Sequence, residues 1–480
     1  MANSRKAGSS NQHLPCPPDE ELAPLIRKYF ALGYPDPKIA LECMDHFDKN
    51  VYGLSSKTVK RRRKAMGLLS TVKQAVTWEE LEPIYRELRQ KFPNLGARDM
   101  VAKLRILYGI KISEMVMLKY LRQHDSEGIQ RRKAKRFRRK RFWSAGVMDI
   151  LCFDQHDKWK RFELWLHLGM DPFNGRLAWI KIWWSNRNSK LVTSYYINAC
   201  REIGRIPMIT QSGLGSENFG IANCHTETRQ RLDVTLVGTL QHRWVNKKAM
   251  NVKPEAQWAV VRRNFSVGYE DCFNRGTVPD EFGNILLDIL DALQQLIIRW
   301  LAIPWIQHEL DTWRLMRNST PRRSDKHSLL PHGIPDMIAE KFQCKDYKVN
   351  VPSELFDEME SRWTPPDDPI FDLVPPEFGE QITGLYQYIG APVINIDSFW
   401  DVYCDILNCF TPQIQYSLAY VIEHADDHFE ESPDKLAGQA DLPEAKGDWQ
   451  YLGGDLTVHA AIAAEEEEDE GVEFTEDEAD

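Results

Sequence analysis

The feature that most constrains the fold is a change in hydrophobic pattern near Val147. From this residue the chain carries three consecutive apolar runs, VMDILCFD (147–154), FELWLHLGMD (162–171) and RLAWIKIWWS (176–185). Each run is rich in the aromatic and branched residues that favour β-strands. The turn sequence DPFNG joins the second run to the third and indicates a hairpin. The sequence therefore predicts a meander of three strands.

Helical and extended patterns alternate after this meander. The sequence predicts a helix over 189–203, a strand over 206–210, a helix over about 219–231, a strand at VTLVGTL (234–240) and a helix that begins near Pro254. The resulting order, βββαβαβα, is characteristic of the ribonuclease H-like α/β fold.

The chain beyond this core is predicted to be mainly helical. Helical patterns cover 281–317 and about 397–430, whereas the Pro-rich, acidic stretch 350–380 indicates loop. We divide this part into a core with a helical extension (144–345), a helical and irregular C-terminal region (346–460) and an acidic disordered tail (461–480).

Two helical modules precede the core. Residues 21–69 indicate three short helices, the third capped by Ser55 or Ser56, and residues 78–125 repeat this plan with a last helix that opens at Ser113. Such modules match helix-turn-helix units whose final helix enters a major groove, and the alternative is a small bundle with a solvated basic face. Residues 1–20 are expected to be disordered, and 126–143 to form a basic linker.

Charge is strongly segregated along the chain. Eleven acidic residues lie between Glu465 and Asp480, so the formal net charge of −9 conceals a net positive remainder. The segment RRKAKRFRRKR (131–141) is basic at nine of eleven positions, which fits a nucleic-acid patch, a nuclear-import signal or a solvated linker. The candidate DNA-binding residues are Lys57, Lys60, Arg61, Arg62, Arg63, Lys64, Arg131, Arg132, Lys133, Lys135, Arg136, Arg138, Arg139, Lys140 and Arg141.

Other sequence features restrict the class of protein. No apolar stretch approaches the roughly 18 residues needed to span a bilayer, and the polar first twenty residues carry no signal-peptide pattern. Nine cysteines without a CxxC pair favour reduced thiols and argue against a zinc ribbon. We expect no membrane partner, and a nuclear location with the cytoplasm as the alternative.

Two carboxylates stand where this fold would need them for phosphoryl chemistry. Enzymes of the fold that cut and join nucleic acid hold two divalent metals between three carboxylates. Asp154 lies at the end of the first strand, with Asp157 close behind, and Glu255 opens the final helix, where a lone glutamate is more often a first-turn residue favoured by the helix dipole. For Asp171, in DPFNG, a turn role is favoured. The nearby His156, His225 and His242 are expected to be structural.

These segments resemble the integrase core domain of the DDE transposase and retroviral integrase superfamily, in particular the transposon-derived proteins of mushroom-forming fungi. The resemblance covers roughly residues 80–340 and rests on FDQHDKWKRF, LGMDPFNGRLAWIKIWW, QSGLGSENFGIANCHT, GTLQHRW and KPEAQWAVVRR, with LLPHGIPDMI downstream. It implies DNA as partner and Asp154 and Glu255 as catalytic ligands of Mg²⁺ or Mn²⁺, and it allows a homo-oligomer.

The second acid of the family pattern is missing. Family members write this loop Gln-Ser-Asp-x-Gly-Ser-Glu-Asn, whereas this chain has QSGLGSEN (211–218), with Gly213 in place of the aspartate. Glycine offers no ligand atom, so we expect a DNA-binding protein with a degenerate two-metal site. One alternative is an active strand transferase that uses a displaced acid such as Glu217. The other is a non-enzymatic scaffold that recruits partners through its C-terminal helices.

Overall fold

The chain divides into two compact units, each of which is considered by itself. Unit 1 comprises Met1–Arg89 and Asn94–Arg136, and unit 2 comprises Gln90–Pro93 and Phe137–Asp480. The computed structural model describes residues 14–74, 76–134, 143–245, 251–279, 285–321, 330–340 and 344–425.

Unit 1 is helical, and both predicted three-helix modules are present in it. Ser55 and Ser113 cap the last helix of each module: the Ser55 Oγ accepts a hydrogen bond from the Thr58 N–H (3.1 Å), and the Ser113 Oγ accepts one from the Val116 N–H (3.2 Å). The helices are α1 (Asp19–Ala31), α2 (Asp36–Cys43), α3 (Ser56–Ala65), α4 (Thr71–Gln74), α5 (Trp78–Lys91), α6 (Ala97–Tyr108), α7 (Glu114–His124) and α8 (Ser126–Ala134).

Partly buried cations join the two modules. The Lys111 Nζ donates a hydrogen bond to the Phe30 carbonyl (2.6 Å), and the Arg105 Nη1 donates one to the Leu32 carbonyl (2.9 Å). Both cations belong to the second module and both acceptors lie at the end of α1. The two modules therefore pack together in one unit and are not independent domains joined by a flexible linker.

Two expected boundaries in this part of the chain differ from the structure. Helix α1 begins at Asp19, inside the stretch expected to be disordered, because three acidic residues in its first turn suit the helix dipole. Helix α8 occupies the first half of the predicted linker 126–143. Residues 1–13 and 135–142 lie outside the described residues.

Unit 2 is an α/β structure around a mixed five-stranded sheet in the order β3-β2-β1-β5-β6. The pairs β1/β2 and β2/β3 are antiparallel, and β1/β5 and β5/β6 are parallel. This architecture is compatible with the predicted βββαβαβα order. The strands are β1 (Ile150–His156), β2 (Trp165–Met170), β3 (Leu177–Trp183), β4 (Arg205–Ile206), β5 (Ile209–Gly213), β6 (His242–Val245) and β7 (Val349–Asn350).

Helices pack around this sheet. Helices α9 and α10 pack on each other, α11 packs on β1, and α13 packs along β3. The edge strand β3 is covered by side chains of α13, in which Gln307 and Asn318 each exchange hydrogen bonds with the strand backbone. Such cover protects an edge strand from pairing with another chain. The helices are α9 (Ser189–Ile203), α10 (Phe219–Leu232), α11 (Val252–Val261), α12 (Val267–Thr277), α13 (Ala292–Ser319) and α14 (Pro335–Glu340).

Two predicted strands need correction. The run 206–210 is divided between β4, which pairs with β7 in a separate two-stranded sheet, and β5, which joins the main sheet. The predicted strand at VTLVGTL is wrong, and the fifth strand is β6 a few residues later. Asp233 caps a short 3-10 turn there, its carboxylate accepting the Thr235 N–H at 3.0 Å.

The C-terminal region is more helical than predicted. Residues 350–380 were expected to be loop, yet two helices occupy most of this stretch, because prolines there stand at helix starts, where their fixed φ is favourable. Among the described residues no helix is long and apolar enough to cross a membrane. The helices are α15 (Ser353–Trp363), α16 (Pro376–Tyr388), α17 (Phe399–Cys409), α18 (Pro412–Ser417) and α19 (Ala419–Glu423).

Candidate functional site

The candidate catalytic residues lie near one another at the carboxyl end of β1 and β5. In the parallel ladder between these strands Cys152 is paired with Gln211, so two residues further along Asp154 falls beside Gly213. Because side chains alternate along a strand, a side chain at 213 would project from the same face of the sheet as Asp154. The fold therefore places position 213, where the resemblance expects a second acid, next to Asp154.

Gly213 is not required by the backbone or by packing. Its φ lies outside the left-handed region, and a Cβ built at this position would meet no atom within 4 Å. Gly215 is different, because a Cβ there would collide with the Glu217 carboxylate. A side chain at 215 would thus displace the Glu217 carboxylate, whereas a side chain at 213, such as that of aspartate, would meet open space.

Asn251 anchors the helix that carries Glu255. The Asn251 Nδ2 donates a hydrogen bond to the Phe153 carbonyl on β1 (3.1 Å), and its Oδ1 accepts one from the Gln211 Nε2 on β5 (3.3 Å). The Asn251 carbonyl in turn accepts the Glu255 N–H at 3.3 Å. One buried amide therefore joins both strands to the first turn of α11.

A stacked aromatic pair holds the same helix against β1. The imidazole of His156 lies on the indole of Trp258, with ring centroids 4.8 Å apart and planes 13° from parallel. Burial lowers the pKa of His156 to about 4, and the positive charges of Lys158 and Arg262 contribute in the same direction. His156 is therefore neutral near pH 7 and contributes packing. The sequence predicts a hydrogen-bonded structural histidine here, but the buried Nε2 of His156 has no hydrogen-bond partner among the described residues.

Four carboxylates at this end of the sheet interact electrostatically. Burial, together with the negative charges of Glu255, Glu217 and Asp157, raises the pKa of Asp154 to about 7. Burial also raises the pKa of Glu217, with Asp157 contributing. These carboxylates disfavour one another's charge, which is the arrangement that a bound cation would relieve.

The residues present do not fit a two-metal site. Among the described residues no group of three His, Cys, Asp or Glu side chains is arranged to hold a metal ion. The Glu217 carboxylate lies over Gly215 and accepts a hydrogen bond from the Asn218 Nδ2 at 2.9 Å, while Glu255 is exposed. Without a side chain at 213, no described residue completes a three-ligand group with Asp154 and Glu255.

Other polar residues in the core have structural partners. The His225 Nδ1 bonds to the Tyr196 hydroxyl (2.8 Å), and the His242 ring bonds to Thr210 and Ser212 at 2.9 and 3.2 Å. The Asp171 carboxylate accepts the Met148 and Phe173 N–H groups, both at 2.9 Å. The predicted turn role of Asp171 and structural roles of these histidines are confirmed.

A second candidate site lies on α3. Lys57, Lys60, Arg61 and Lys64 are all exposed, and their spacing puts them on one side of the helix. We call these four residues the basic face. Its lysines and arginine have the charge and reach needed to contact phosphates.

The other two cations predicted on α3 hold the module together. Arg63 is only 6% exposed, and its Nε and Nη2 bond to the two Asp36 carboxylate oxygens at 2.7 and 3.1 Å. Arg62 is partly buried and pairs with Asp19. Arg63 is therefore corrected from a DNA ligand to a structural residue, because a helix of this kind needs a buried side that packs on its neighbours.

The remaining basic candidates lie outside the residues whose side chains are described. The structure gives the backbone of α8 up to Ala134 but describes no side chain from 131 to 142. These candidates are Arg131, Arg132, Lys133, Lys135, Arg136, Arg138, Arg139, Lys140 and Arg141.

Sequence reasoning missed Asn251, although a signal was present. Asparagine directly before a helix usually caps it through its side chain. Here it makes no such hydrogen bond and joins two strands instead. Comparison with known proteins adds no further site residue, because no family model and no curated protein gives a significant match to this chain.

Proposed function

We propose that the chain is a DNA-binding protein of the integrase and transposase type whose core does not perform strand transfer. The observation that carries this proposal is the basic face of α3, the last helix of a three-helix module. Phosphate contacts by lysine and arginine give affinity for DNA of any sequence, because they displace condensed counterions. The proposed nuclear location follows from the same partner.

The state of the core supports the second half of the proposal. An in-line phosphoryl displacement between two metals needs carboxylates that hold both ions. Gly213 supplies no side-chain oxygen, and among the described residues no three acidic side chains are arranged to hold a metal ion. We derive no catalytic step at this end of the sheet, and we assign it a structural role inherited from an integrase-like ancestor.

DNA binding is tested by fluorescence anisotropy with the full-length protein and a labelled duplex over a range of salt concentrations. We expect affinity to fall steeply with salt. A plot of log affinity against log salt concentration has a negative slope. The variant Lys57→Gln/Lys64→Gln should reduce the magnitude of this slope by about 2, since each phosphate contact contributes about 0.9.

The matched control is Arg27→Gln/Lys49→Gln, which removes the same charge from exposed residues of the same module. It should leave the slope almost unchanged. Equal slopes for the two variants, or an affinity independent of salt, would contradict the proposal.

One observation favours the active alternative. The Glu217 charge raises the pKa of Asp154, so the two carboxylates lie within electrostatic reach. A nicking assay on plasmid DNA with Mg²⁺ or Mn²⁺ separates the two functions. We expect no nicking. Nicking that disappears in both Asp154→Asn and Glu217→Gln would establish a displaced-acid enzyme and overturn the proposal of an inactive core.

A further inference from the structure

The last helix of the second module presents a surface different from that of α3. Met115 is 82% exposed and Val116 is 56% exposed, and both lie in the first turn of α7. Lys119, Arg122 and Gln123 are exposed on the same side of the helix at the spacing of successive turns. We call these five residues the mixed face.

The apolar pair of the mixed face is not needed to fold the module. The opposite side of α7 supplies its packing, through the buried residues Met117, Tyr120 and Leu121. The Ser113 cap fixes the start of the helix through the Val116 N–H. Two adjacent apolar side chains thus project into solvent from a helix start that is already stabilised by other groups.

We propose that the mixed face reads base edges in the major groove, with Met115 and Val116 against the C5-methyl groups of thymine. In helix-turn-helix modules the first residues of the last helix approach the base edges. Apolar side chains contact the thymine methyl, which only A·T pairs present in that groove. This inference rests on the proposed DNA-binding function and adds to it a preference for thymine-containing sites.

Charge complementarity favours DNA over an apolar protein partner. Lys119 and Arg122 lie one and two turns beyond Met115 on the same side of α7. These cations give the mixed face an attraction for phosphates, and Gln123 adds an amide that can pair with adenine. An interface between two apolar protein surfaces would gain nothing from two exposed cations at this position.

The basic face of α3 and the mixed face of α7 have different roles in the proposed DNA recognition. Every exposed side chain of the basic face is a cation, so α3 can hold phosphates but distinguishes bases poorly. The mixed face combines methyl-sized apolar contacts with cations. In a unit whose modules are joined through Lys111 and Arg105, α3 supplies affinity and α7 supplies sequence preference.

The test replaces thymine by deoxyuridine, which removes the methyl group and leaves every hydrogen-bonding group in place. A duplex is first selected from a random library with the full-length protein. Its affinity is then measured with thymine and with deoxyuridine. We expect the deoxyuridine duplex to bind more weakly by about fourfold for each methyl that Met115 or Val116 buries.

Variants assign this preference to the two side chains. Met115→Ala/Val116→Ala should bind both duplexes equally, and alanine favours helix, so α7 should stay folded. Leu107→Ala removes an apolar side chain that is 41% exposed on α6 and should keep the preference for thymine. Lys57→Gln/Lys64→Gln should weaken binding to both duplexes by the same factor.

The outcomes separate this inference from the proposed function. DNA binding with no selected sequence, or with equal affinity for the two duplexes, overturns the inference alone. Loss of salt-dependent DNA binding altogether overturns both. If Met115→Ala/Val116→Ala abolishes self-association in light scattering and keeps the thymine preference, the mixed face is a protein interface and the inference is wrong.

Discussion

The basic face of α3 and the carboxylates around Asp154 are both clusters of like charge, but they differ in how far their side chains are exposed to solvent. The four cations of α3 are exposed, so water and salt screen their repulsion. Asp154 and Glu217 are largely buried, and burial raises the pKa of each. An exposed cluster can therefore persist with no ligand, whereas a buried cluster of carboxylates is stable only if some groups are protonated, removed or neutralised by a cation.

The largest effect on stability should come from Arg63, a buried cation of α3 that is not part of the basic face. Arg63→Ala should destabilise unit 1 by about 3 kcal/mol, because Asp36 loses a buried bidentate partner. Lys64→Ala should leave stability within about 0.5 kcal/mol and weaken DNA binding. Hydrogen exchange of α3 measures the first effect and fluorescence anisotropy the second. If the two variants behaved alike, the distinction between structural and exposed cations on α3 would be wrong.

The second-largest effect should come from Asn251, which holds α11 against the end of the sheet that carries the carboxylates. Asn251→Ala should destabilise the docking of α11 by about 2 kcal/mol, since the Phe153 carbonyl and the Gln211 amide both lose a buried partner. Hydrogen exchange should accelerate in α11 and at the ends of β1 and β5. Asn50→Ala, at an exposed turn, is the control. Unchanged protection of α11 would show that Asn251 does not anchor it.

An acid introduced at position 213 tests whether carboxylates around Asp154 repel one another. Gly213→Asp should lower Tm by about 2–4 °C without added metal, because it adds a carboxylate beside Asp154. Millimolar Mn²⁺ should reverse this loss by neutralising the cluster. The neutral isostere Gly213→Asn should show neither effect. If Mn²⁺ does not raise the Tm of the Gly213→Asp protein, an acid at 213 is not sufficient to complete a metal site with Asp154.

The smallest effect should be a pH-dependent gain in stability. Because the pKa of Asp154 is raised to about 7 in the folded chain, its ionisation disfavours the folded state as pH rises from about 4 through 7. Asp154→Asn should therefore raise Tm at pH 8, by a few degrees at most, and the gain should shrink towards pH 4. A gain that is equal at pH 8 and pH 5 would exclude the charge of Asp154 as its cause.

Local patterns predicted much of the fold. The helix over 189–203 was predicted with the bounds that the structure gives it, and the serine caps of α3 and α7 were recognised. These features depend on neighbouring residues only. VTLVGTL was misinterpreted because branched apolar residues usually indicate a strand, yet Val234 and Val237 are 77% and 66% exposed on a turn.

Features that depend on distant residues could not be predicted. Arg63 has the same sequence context as the exposed Lys64, and only Asp36, 27 residues away, makes it structural. The prediction that Asp154 and Gly213 belong to one site came from the resemblance to the integrase pattern, and the register of β1 with β5, continued by two residues, places them side by side. The space available at Gly213 depends on every neighbour in three dimensions, which no motif encodes.

The open space at Gly213 also bears on how such a protein can evolve. When a lost side chain is followed by repacking, later changes must undo the repacking before the original residue can return. Here neither the backbone nor any neighbour fills the position. Glycine and aspartate codons can differ by a single base, so under the proposed function one mutational step could return an acid to position 213 without any repacking of its neighbours.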